Sequence, residues 1–553
     1  MAQHAIDCDV LIVGGGINGT GIARDAAGRG LSVVLCDKDD LASHTSSAST
    51  KLIHGGLRYL EQYEFGLVRK ALIEREVLLR AAPHIIWPLR FVMPHDRGQR
   101  PGWMIRAGLF LYDHLARREL LPRSTGADLR RHPAGKPLKS GFSRGFVYSD
   151  GWVDDARLVV LNAIDAAERG STILTHTACE SARRHGGRWA ATLRSSSGET
   201  VGVDARCLVD ATGPWAGHFL RAATHRPAGK TVRLIKGSHI VVDKLFDHPY
   251  AYIFQHPDRR IVFAIPYEHD FTLIGTTDID YHGDADKVAI GADEVAYLCE
   301  LTNRYFQRPI APADVVWSYS GVRPLVEDEA SDDRRECTAD RRECDQRECN
   351  ATAELCTPVG RRREYTAASE VTRDYRLELD TDGAPLLSVF GGKITTFRRL
   401  AEEAVDLIAP CLSNHNAGWT ADACLPGGDL FGARPTNKSV LEFDRYVQGL
   451  QQQYGWLAPE LVARYARAYG TRIHTLLSGR TSIADMGREI APQLFEAEAA
   501  YWMQHEWATC AADMLWRRSK LGLHLPKDTE RKLDAWIAGR DAVAGKPPVQ
   551  VST

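Results

Sequence analysis

The feature that most constrains this chain lies near its N-terminus, where an apolar run meets a glycine-rich turn. Residues Val10 to Val13 form a continuous apolar stretch, which is typical of a buried parallel strand. Gly14, Gly16 and Gly19 follow with the spacing G-x-G-x-x-G. The first glycine permits a tight turn, the second lets backbone approach a pyrophosphate, and the third lets a helix pack against the strand. We therefore expect a helix N-terminus that binds phosphate groups.

A second predicted strand supports this interpretation. It covers Ser32 to Cys36 and ends at Asp37, 18 positions after Gly19. A carboxylate at this place binds a ribose hydroxyl and favours an unphosphorylated ribose, as in FAD or NAD, over NADP. The alternative is a glycine-rich turn in another doubly wound fold. The pattern predicts dinucleotide binding but does not choose between FAD and NAD.

The composition narrows the class of protein. A chain of 553 residues predicts two or three domains, and 44% apolar with 25% charged residues is ordinary globular composition. A net charge of −2 gives no reason to expect nucleic acid, and 12 cysteines in this length do not resemble a disulfide scaffold. Neither a signal peptide nor a stretch of ~18 apolar residues is present. We therefore expect a cytoplasmic protein whose membrane contact is peripheral.

Hydrophobic periodicity predicts helices and strands along the rest of the chain. Several β-like runs between 231 and 280, with no long helix between them, predict an antiparallel sheet. The chain beyond about 425 reads as a separate helical domain. The predicted helices are 61–80, 154–170, 460–469 and 494–521, and the predicted strands of the antiparallel sheet are 238–243, 260–266 and 271–276.

Two segments allow two interpretations each. Residues 103–118 mix large apolar side chains with Arg106 and Arg117, as either a helix at a membrane interface or a core helix with a basic end would. The core helix is the favoured interpretation. Residues 329–370 carry cysteines 337, 344, 349 and 356 among many charges but no Cys-x-x-Cys pair, so we expect a disordered insertion and no metal site.

Basic residues and histidines supply the candidate chemistry. Arg58, Arg323, Arg373 and Lys393 each lie beside a glycine, a proline or a short turn. Arginine at such places often binds carboxylate or phosphate oxygens, although any one alone reads as a surface salt bridge. His54 and His239 are candidate bases for an alcohol proton.

A second strand-to-helix junction follows the apolar run Leu386 to Phe390. The sequence GGKITT at 391–396 offers another free helix N-terminus. Its dipole would stabilise the negative charge of a reduced flavin. A routine turn between strand and helix is the alternative.

Several longer blocks resemble the FAD-dependent glycerol-3-phosphate dehydrogenases. The most specific is the block at 45–60, and the likeness extends over nearly the whole chain. The matching blocks are VGGGINGTGIA at 13–23, TSSASTKLIHGGLRYL at 45–60, DATGPW at 210–215, RLIKGSH at 233–239, IGTTD at 274–278, YSGVRPL at 319–325, TRDY at 372–375 and SVFGGKITT at 388–396.

The resemblance implies a fold and the boundaries of its domains. It implies an α/β FAD-binding domain of glutathione-reductase type, an antiparallel α+β substrate domain as in D-amino-acid oxidase, and an all-α C-terminal domain. The expected cofactor domain is 1–80 with 145–225 and 385–410. The expected substrate domain is 81–144 with 226–384, and the helical domain is 425–540.

The resemblance also assigns roles to residues. The substrate-binding set is Arg58, Thr276, Thr277, Arg323, Arg373 and Lys393, with His239, Lys393 and Arg323 expected to be catalytic and His239 to act as the base. The expected FAD-binding set is Gly14, Gly16, Gly19, Asp37, Thr45, Ser46, Ser47, Ser49, His54, Gly55, Gly213, Gly392 and Thr395.

The implied reaction is oxidation of sn-glycerol 3-phosphate to dihydroxyacetone phosphate, with electrons passed to ubiquinone or another quinone at the inner face of the cytoplasmic membrane. A homodimer is compatible with this picture. The rival functions are a glycerophosphate oxidase using O2, an amino-acid oxidase of the same fold, and a flavin-binding protein without catalysis. The segment 329–370 departs from the family pattern because it separates Arg323 from Arg373.

Overall fold

The computed structural model describes residues 5–96, 100–225, 232–255, 260–326 and 374–544. The expected insertion at 329–370 and Arg373 lie outside these ranges. The strands are β1 Ile6–Val13, β2 Val33–Cys36, β3 Leu52–Ile53, β4 Ile86–His95, β5 Thr125–Asp128, β6 Arg144–Val153, β7 Thr172–Leu174, β8 Thr177–His185, β9 Arg188–Ser195, β10 Thr200–Asp210, β11 Val232–Asp243, β12 Ala251–Gln255, β13 Ile261–Tyr267, β14 Phe271–Gly275, β15 Ile279–Tyr281, β16 Val315–Val326, β17 Arg376–Asp380, β18 Leu386–Phe390, β19 Glu489–Ala491 and β20 Leu494–Phe495.

The same ranges also contain α-helices. They are α1 Ile17–Gly28, α2 Phe65–Ala81, α3 Gly102–His114, α4 Asp155–Glu168, α5 Ala216–Ala222, α6 Ala292–Tyr305, α7 Phe397–Ile408, α8 Asn437–Leu441, α9 Phe443–Gln453, α10 Pro459–Tyr469, α11 Ile473–Leu476, α12 Glu496–Glu506 and α13 Thr529–Ala544.

The first sheet is the dinucleotide-binding layer that the N-terminal motif predicts. Its strand order is β17-β18-β10-β1-β2-β7, and β1 pairs in parallel with both β2 and β10. The apolar run from Val10 to Val13 lies at its centre and is buried on both faces, as parallel strands require. Helices α1, α4 and α7 pack on one face, with Gly21 of α1 directly against Phe397 of α7.

The second sheet confirms the antiparallel substrate layer. Its strand order is β15-β11-β14-β13-β12-β4-β6-β3, and β16 pairs along most of β11. The predicted strands 238–243, 260–266 and 271–276 correspond to β11, β13 and β14. Strand β6, which the expected domain limits place with the cofactor domain, pairs with β4 in this second sheet. Pairing between distant strands decides to which sheet β6 belongs, and the local sequence of β6 does not indicate it.

The C-terminal region has its own apolar core, which includes Tyr465, Tyr469 and Trp502. Helix α10 matches its prediction closely. The single helix expected over 494–521 is wrong, because α12 ends at Glu506 and Trp507 has a φ of 55°. After this break a π-helical turn covers Asp513–Arg518. The region is helical apart from the short β19–β20 hairpin.

Helix α3 overturns the favoured interpretation of residues 103–118. Its buried residues are Leu109, Tyr112 and Asp113, whereas Trp103 is 71% exposed and Phe110 is 61% exposed. A core helix would not leave such large apolar side chains in water. Among the described residues, none of the helices combines the length and the apolar character that crossing a bilayer requires.

Candidate functional site

A cavity of about 690 Å³ lies where the two sheets meet. The turns that follow β1, β2, β10 and β18 form one side, and β11 and β16 of the second sheet form the other. In open α/β sheets, ligands bind at the carboxyl ends of the strands. The volume lies in the range of ordinary ligand and cofactor sites.

The glycine-rich turn is built as the sequence predicts. Gly14 has a φ of 115°, and a Cβ at this position would overlap the carbonyl oxygen of Ala211 on the neighbouring turn. A Cβ at Gly19 would overlap the carbonyl oxygen of Gly14, so helix α1 can only start this close to β1 if Gly19 has no side chain. Gly16 is the N-cap residue and lines the cavity. The helix start is therefore open to a phosphate.

Asp37 lies at the end of β2 and faces the same cavity. Its carboxylate accepts hydrogen bonds from the backbone N–H groups of Gly15, at 2.5 Å, and Asp39, at 2.8 Å. Burial raises the pKa of the carboxyl, while these two hydrogen bonds oppose the rise. The side chain is thus held in one orientation beside the phosphate cradle, where a ribose hydroxyl would bind.

The hydroxyl block at 45–50 contributes three of its four predicted members to the wall. Thr45, Ser46 and Ser49 line the cavity, and the Ser46 hydroxyl accepts a hydrogen bond from the Ile17 N–H at 3.0 Å. Ser47 instead donates to the His44 carbonyl and does not line the cavity. The local turn directs its side chain away from the site.

The second helix start meets the first. Gly391 and Gly392 have φ values of 72° and 104°. The Asn18 amide donates to the Gly391 carbonyl at 3.1 Å, and a Cβ at Gly392 would crowd the same amide. Asn18 therefore joins the two glycine turns, a role that sequence reasoning missed although Asn18 lies inside the glycine motif. Gly213 also lines the cavity, with a φ of 61°.

Two predicted cofactor-binding residues lie behind the cavity wall and support it. Thr395 is fully buried, and its hydroxyl donates to the His54 carbonyl at 3.3 Å. Gly55 is buried against Tyr112, whose hydroxyl accepts from the Gly55 N–H at 2.9 Å. Neither residue lines the cavity, whereas His54 does.

The cationic end of the cavity collects residues from four separate elements. Arg323, Lys393, Thr276 and His239 all line it. Arg323 is 32% exposed and forms an ion pair with Asp278, and the Lys393 ammonium donates to the His54 carbonyl at 2.9 Å. The Asp278 partner was not anticipated from the sequence, although Asp278 closes the IGTTD block.

Two members of the predicted substrate set do not reach the wall. Arg58 is half-buried beside Tyr59, and Tyr59 rather than Arg58 lines the cavity. Thr277 is buried, and its hydroxyl donates to Glu294 and accepts from the Ser238 N–H. That network uses the Thr277 hydroxyl to hold β11 next to the turn after β14.

His239 lies in a desolvated, cationic environment. It is 2% exposed, and burial, followed by the positive charges of Lys51 and Arg323, lowers its pKa well below 6.5. Its ring stacks on Tyr319 at 4.7 Å, and its Nε2 lies 2.9 Å from the Thr50 hydroxyl. The imidazole is therefore neutral at ordinary pH and keeps a lone pair that can accept a proton.

The fold and the cavity together are those of a dinucleotide-dependent oxidoreductase whose cavity has a cationic end. Residues 9–340 match the family described as "FAD dependent oxidoreductase", and residues 419–538 match "C-terminal domain of alpha-glycerophosphate oxidase". The chain belongs to the FAD-dependent glycerol-3-phosphate dehydrogenase family. FAD is accordingly its cofactor, and the open helix starts and Asp37 fit that molecule.

Relatives with high identity support this membership. The chain is 49% identical to "Glycerol-3-phosphate dehydrogenase" of Pseudomonas aeruginosa, covering 96% of this chain and 94% of the relative. It is 44% identical to "Aerobic glycerol-3-phosphate dehydrogenase" of Escherichia coli, with 96% and 97% covered. It is also 46% identical to "D-erythritol 1-phosphate dehydrogenase" of Brucella abortus, with 97% and 99% covered.

A solved structure supports the fold. The glycerol-3-phosphate dehydrogenase from Bacillus halodurans, complexed with FAD, matches with a TM-score of 0.70 at 24% identity, covering 97% of this chain and 91% of that chain. At this identity the likeness concerns the arrangement of the elements alone.

Proposed function

We propose that the protein oxidises sn-glycerol 3-phosphate at C2 to dihydroxyacetone phosphate and passes the electrons to a membrane quinone. The observation that carries the proposal is the shared cavity: Arg323, Lys393 and His239 line the same space as the dinucleotide cradle. Bound FAD supplies the hydride acceptor. The chain's own residues bind the phosphate, orient C2 and take the hydroxyl proton.

The phosphate binds at the cationic end of the cavity, beside Arg323. The planar guanidinium of Arg323 matches phosphate oxygens, and its present pairing with Asp278 holds it at the cavity wall. Phosphate binding replaces or shares that carboxylate contact. Lys393 adds a second positive charge from the opposite side, where the His54 carbonyl fixes its ammonium. Arg58, which does not line the cavity, and Arg373, which lies outside the described residues, remain predicted contributors.

The base is His239. Because the imidazole is neutral, it accepts the C2 hydroxyl proton without first losing one. The two cations that depress its pKa oppose its protonation, and a phosphate dianion beside Arg323 offsets one of them. Substrate binding therefore prepares the base by changing its electrostatic surroundings.

The direct test is anaerobic reduction of the purified flavoprotein. Adding sn-glycerol 3-phosphate is expected to bleach the visible flavin absorbance rapidly, while glycerol bleaches it only slowly and amino acids leave it unchanged. D-erythritol 1-phosphate is the second candidate substrate, because a relative of nearly equal identity bears that name. Faster bleaching by the four-carbon phosphate would reassign the substrate, and bleaching by amino acids would point to an amino-acid oxidase.

The electron acceptor is tested separately. With a soluble ubiquinone analogue present, we expect quinone reduction to account for the electrons and little peroxide to form in air. A peroxide yield equal to substrate consumption, with no quinone reduction, would instead identify a glycerophosphate oxidase. The two outcomes use the same enzyme and substrate, so they differ only in the acceptor.

Membrane attachment at the inner face of the cytoplasmic membrane is assigned to helix α3. Trp103, Met104, Phe110 and Leu111 form an exposed apolar stripe along it, and the exposed Arg106 and Arg117 lie on or just beyond it. Aromatic and aliphatic side chains with arginines nearby are the composition of an interfacial helix.

Vesicle binding tests this surface. The double variant Trp103→Ser with Phe110→Ser is expected to lose sedimentation with vesicles containing anionic lipid while keeping soluble activity. Leu441→Ser is the matched control, since Leu441 is 70% exposed on α8. Equal vesicle binding by the double variant and the wild type would remove α3 from the attachment surface.

A further inference from the structure

We propose that Thr50 is a proton relay between the substrate hydroxyl and His239. The inference rests on the proposed function, in which His239 is the base. Thr50 lines the cavity and is half-buried, whereas His239 is almost fully enclosed. The Thr50 hydroxyl lies 2.9 Å from His239 Nε2, and both residues line the cavity. The only hydrogen-bond partner that the described residues give the imidazole is therefore also the group that a substrate can reach.

The imidazole is tightly packed, and its hydrogen bond to Thr50 favours the orientation with Nε2 toward that hydroxyl. His239 on β11 is paired directly with Gly275 on β14 and with Tyr319 on β16. The ring stacks on Tyr319, and a Cβ at Gly275 would overlap the ring itself. Nδ1 is buried, and in the described parts of the chain it has no hydrogen-bond partner. Nε2 is therefore the ring nitrogen with a hydrogen-bond partner, and that partner is the Thr50 hydroxyl.

The strand that follows Thr50 is also fixed. Lys51 is buried and pairs with Asp155 at 2.7 Å, and its ammonium lies 4.9 Å from the centre of the Tyr319 ring. The Tyr319 hydroxyl donates to the Ser49 carbonyl at 2.8 Å. Thr50 is thus flanked on both sides by residues tied to the ring that supports His239. These contacts hold the backbone on both sides of Thr50.

The proton transfer balances in two linked movements. The substrate O–H bond breaks and its proton binds Thr50 Oγ1, while the original Thr50 hydroxyl proton moves to His239 Nε2. C2 loses its hydrogen with both bonding electrons as hydride, for which bound FAD would supply the acceptor, and C2 and its oxygen form the carbonyl. The imidazole must begin with its proton on Nδ1 and its lone pair on Nε2, and it ends with a proton on both nitrogens.

A proton inventory of the wild-type enzyme tests the relay without any substitution. Flavin reduction by saturating sn-glycerol 3-phosphate is followed anaerobically in mixtures of H2O and D2O. If two protons move in the same step, a plot of the reduction rate against the deuterium fraction is curved. A linear or flat inventory would overturn the relay. Failure of the substrate to reduce the flavin at all would instead reject the proposed function, so the two failures are distinguishable.

Two substitutions sharpen the test. Thr50→Val keeps the shape but removes the hydroxyl, and we expect reduction to slow about 100-fold, the ordinary effect of losing one acid–base group. Thr50→Ser is expected to recover most of the rate and to keep the curved inventory. Thr302→Val is the matched control, since the buried Thr302 hydroxyl donates within α6, to the Leu298 carbonyl.

Measurements of FAD content and unfolding temperature show whether a variant has lost its fold. If Thr50→Val has lost its fold, the proton inventory of the wild-type enzyme alone decides whether the relay exists. Folded Thr50→Val protein that reduces its flavin at the wild-type rate would refute the relay. A readout independent of turnover is the tautomer of His239 by ¹⁵N-histidine NMR, assigned by its loss in His239→Gln. The proposal requires the Nδ1–H form, and the Nε2–H form would exclude it.

Discussion

Replacing Arg323 by alanine is the sharpest test of the phosphate site. Arg323 lines the cationic end of the cavity, is one-third exposed, and forms an ion pair with Asp278. A hydrogen bond to a charged group contributes about 1.5–3 kcal/mol, and truncating one partner of a buried charged pair costs about 2–5 kcal/mol. The partial exposure of Arg323 places the expected loss near the overlap, about 2–3 kcal/mol. Since ~1.4 kcal/mol is tenfold, kcat/KM for sn-glycerol 3-phosphate should fall about 30- to 150-fold.

The assay compares two substrates in two enzymes. If Arg323 binds the phosphate, the substitution lowers kcat/KM for sn-glycerol 3-phosphate but leaves the slow oxidation of glycerol unchanged. Arg323→Lys should recover part of the loss, because it restores the charge but not the bidentate fork. Arg308→Ala, at an exposed arginine of the same sheet region, is the control. An equal fall for both substrates would refute the assignment, since it would mean that Arg323 supports the chemistry or the fold and not the phosphate.

Three further predictions follow from local geometry. Because the folded-state pKa of His239 is depressed, the rate of flavin reduction at saturating sn-glycerol 3-phosphate should stay level as the pH falls through 6.5 and decline only at lower pH; a decline of that rate centred at 6.5 would exclude His239 as the base. His84 is buried, and burial lowers its pKa to about 3, so that the unfolded chain binds its proton more readily than the folded chain does. The free energy of unfolding should therefore fall by up to about 1.4 kcal/mol per pH unit between pH 6.5 and 3. His84→Leu should reduce that slope, as measured by chemical denaturation at several pH values. Gly14→Ala should yield protein without retained FAD, because the added Cβ overlaps the Ala211 carbonyl; normal flavin content would contradict the cradle geometry.

Local sequence determined the cofactor side of the site well. The residue types that specify the parallel strand β1, the turn at Gly14 and the carboxylate of Asp37 lie within some 30 consecutive residues, and the structure has these features as the motif predicts. The reason is physical: a positive φ, a missing Cβ and a buried apolar run each restrict the backbone directly. The antiparallel layer was likewise predicted from strand patterns alone.

The direction of individual side chains was less predictable. Gly55 faces Tyr112, which is 57 positions away in the chain, and Thr277 is bound to Glu294 on another element. A motif gives the order of residues in a loop, but tertiary contacts decide which of them face the cavity. Helix α3 shows the same limit at larger scale. Its composition favoured a core helix over an interfacial one, and only its packing shows that Trp103 lies in water.

The C-terminal region belongs to the scaffold of the active site. Its π-helical turn sends Trp516 onto Trp317, whose ring adjoins Tyr319, and Tyr319 stacks on His239 with centroid spacings of 4.7, 5.0 and 4.7 Å. The same turn sends Arg518 to Asp40, in the loop that follows the ribose carboxylate. One turn thus supports both the strand that carries His239, the proposed base, and the loop that follows Asp37. Because both sides of the cavity contact it, a shift of this turn would displace both.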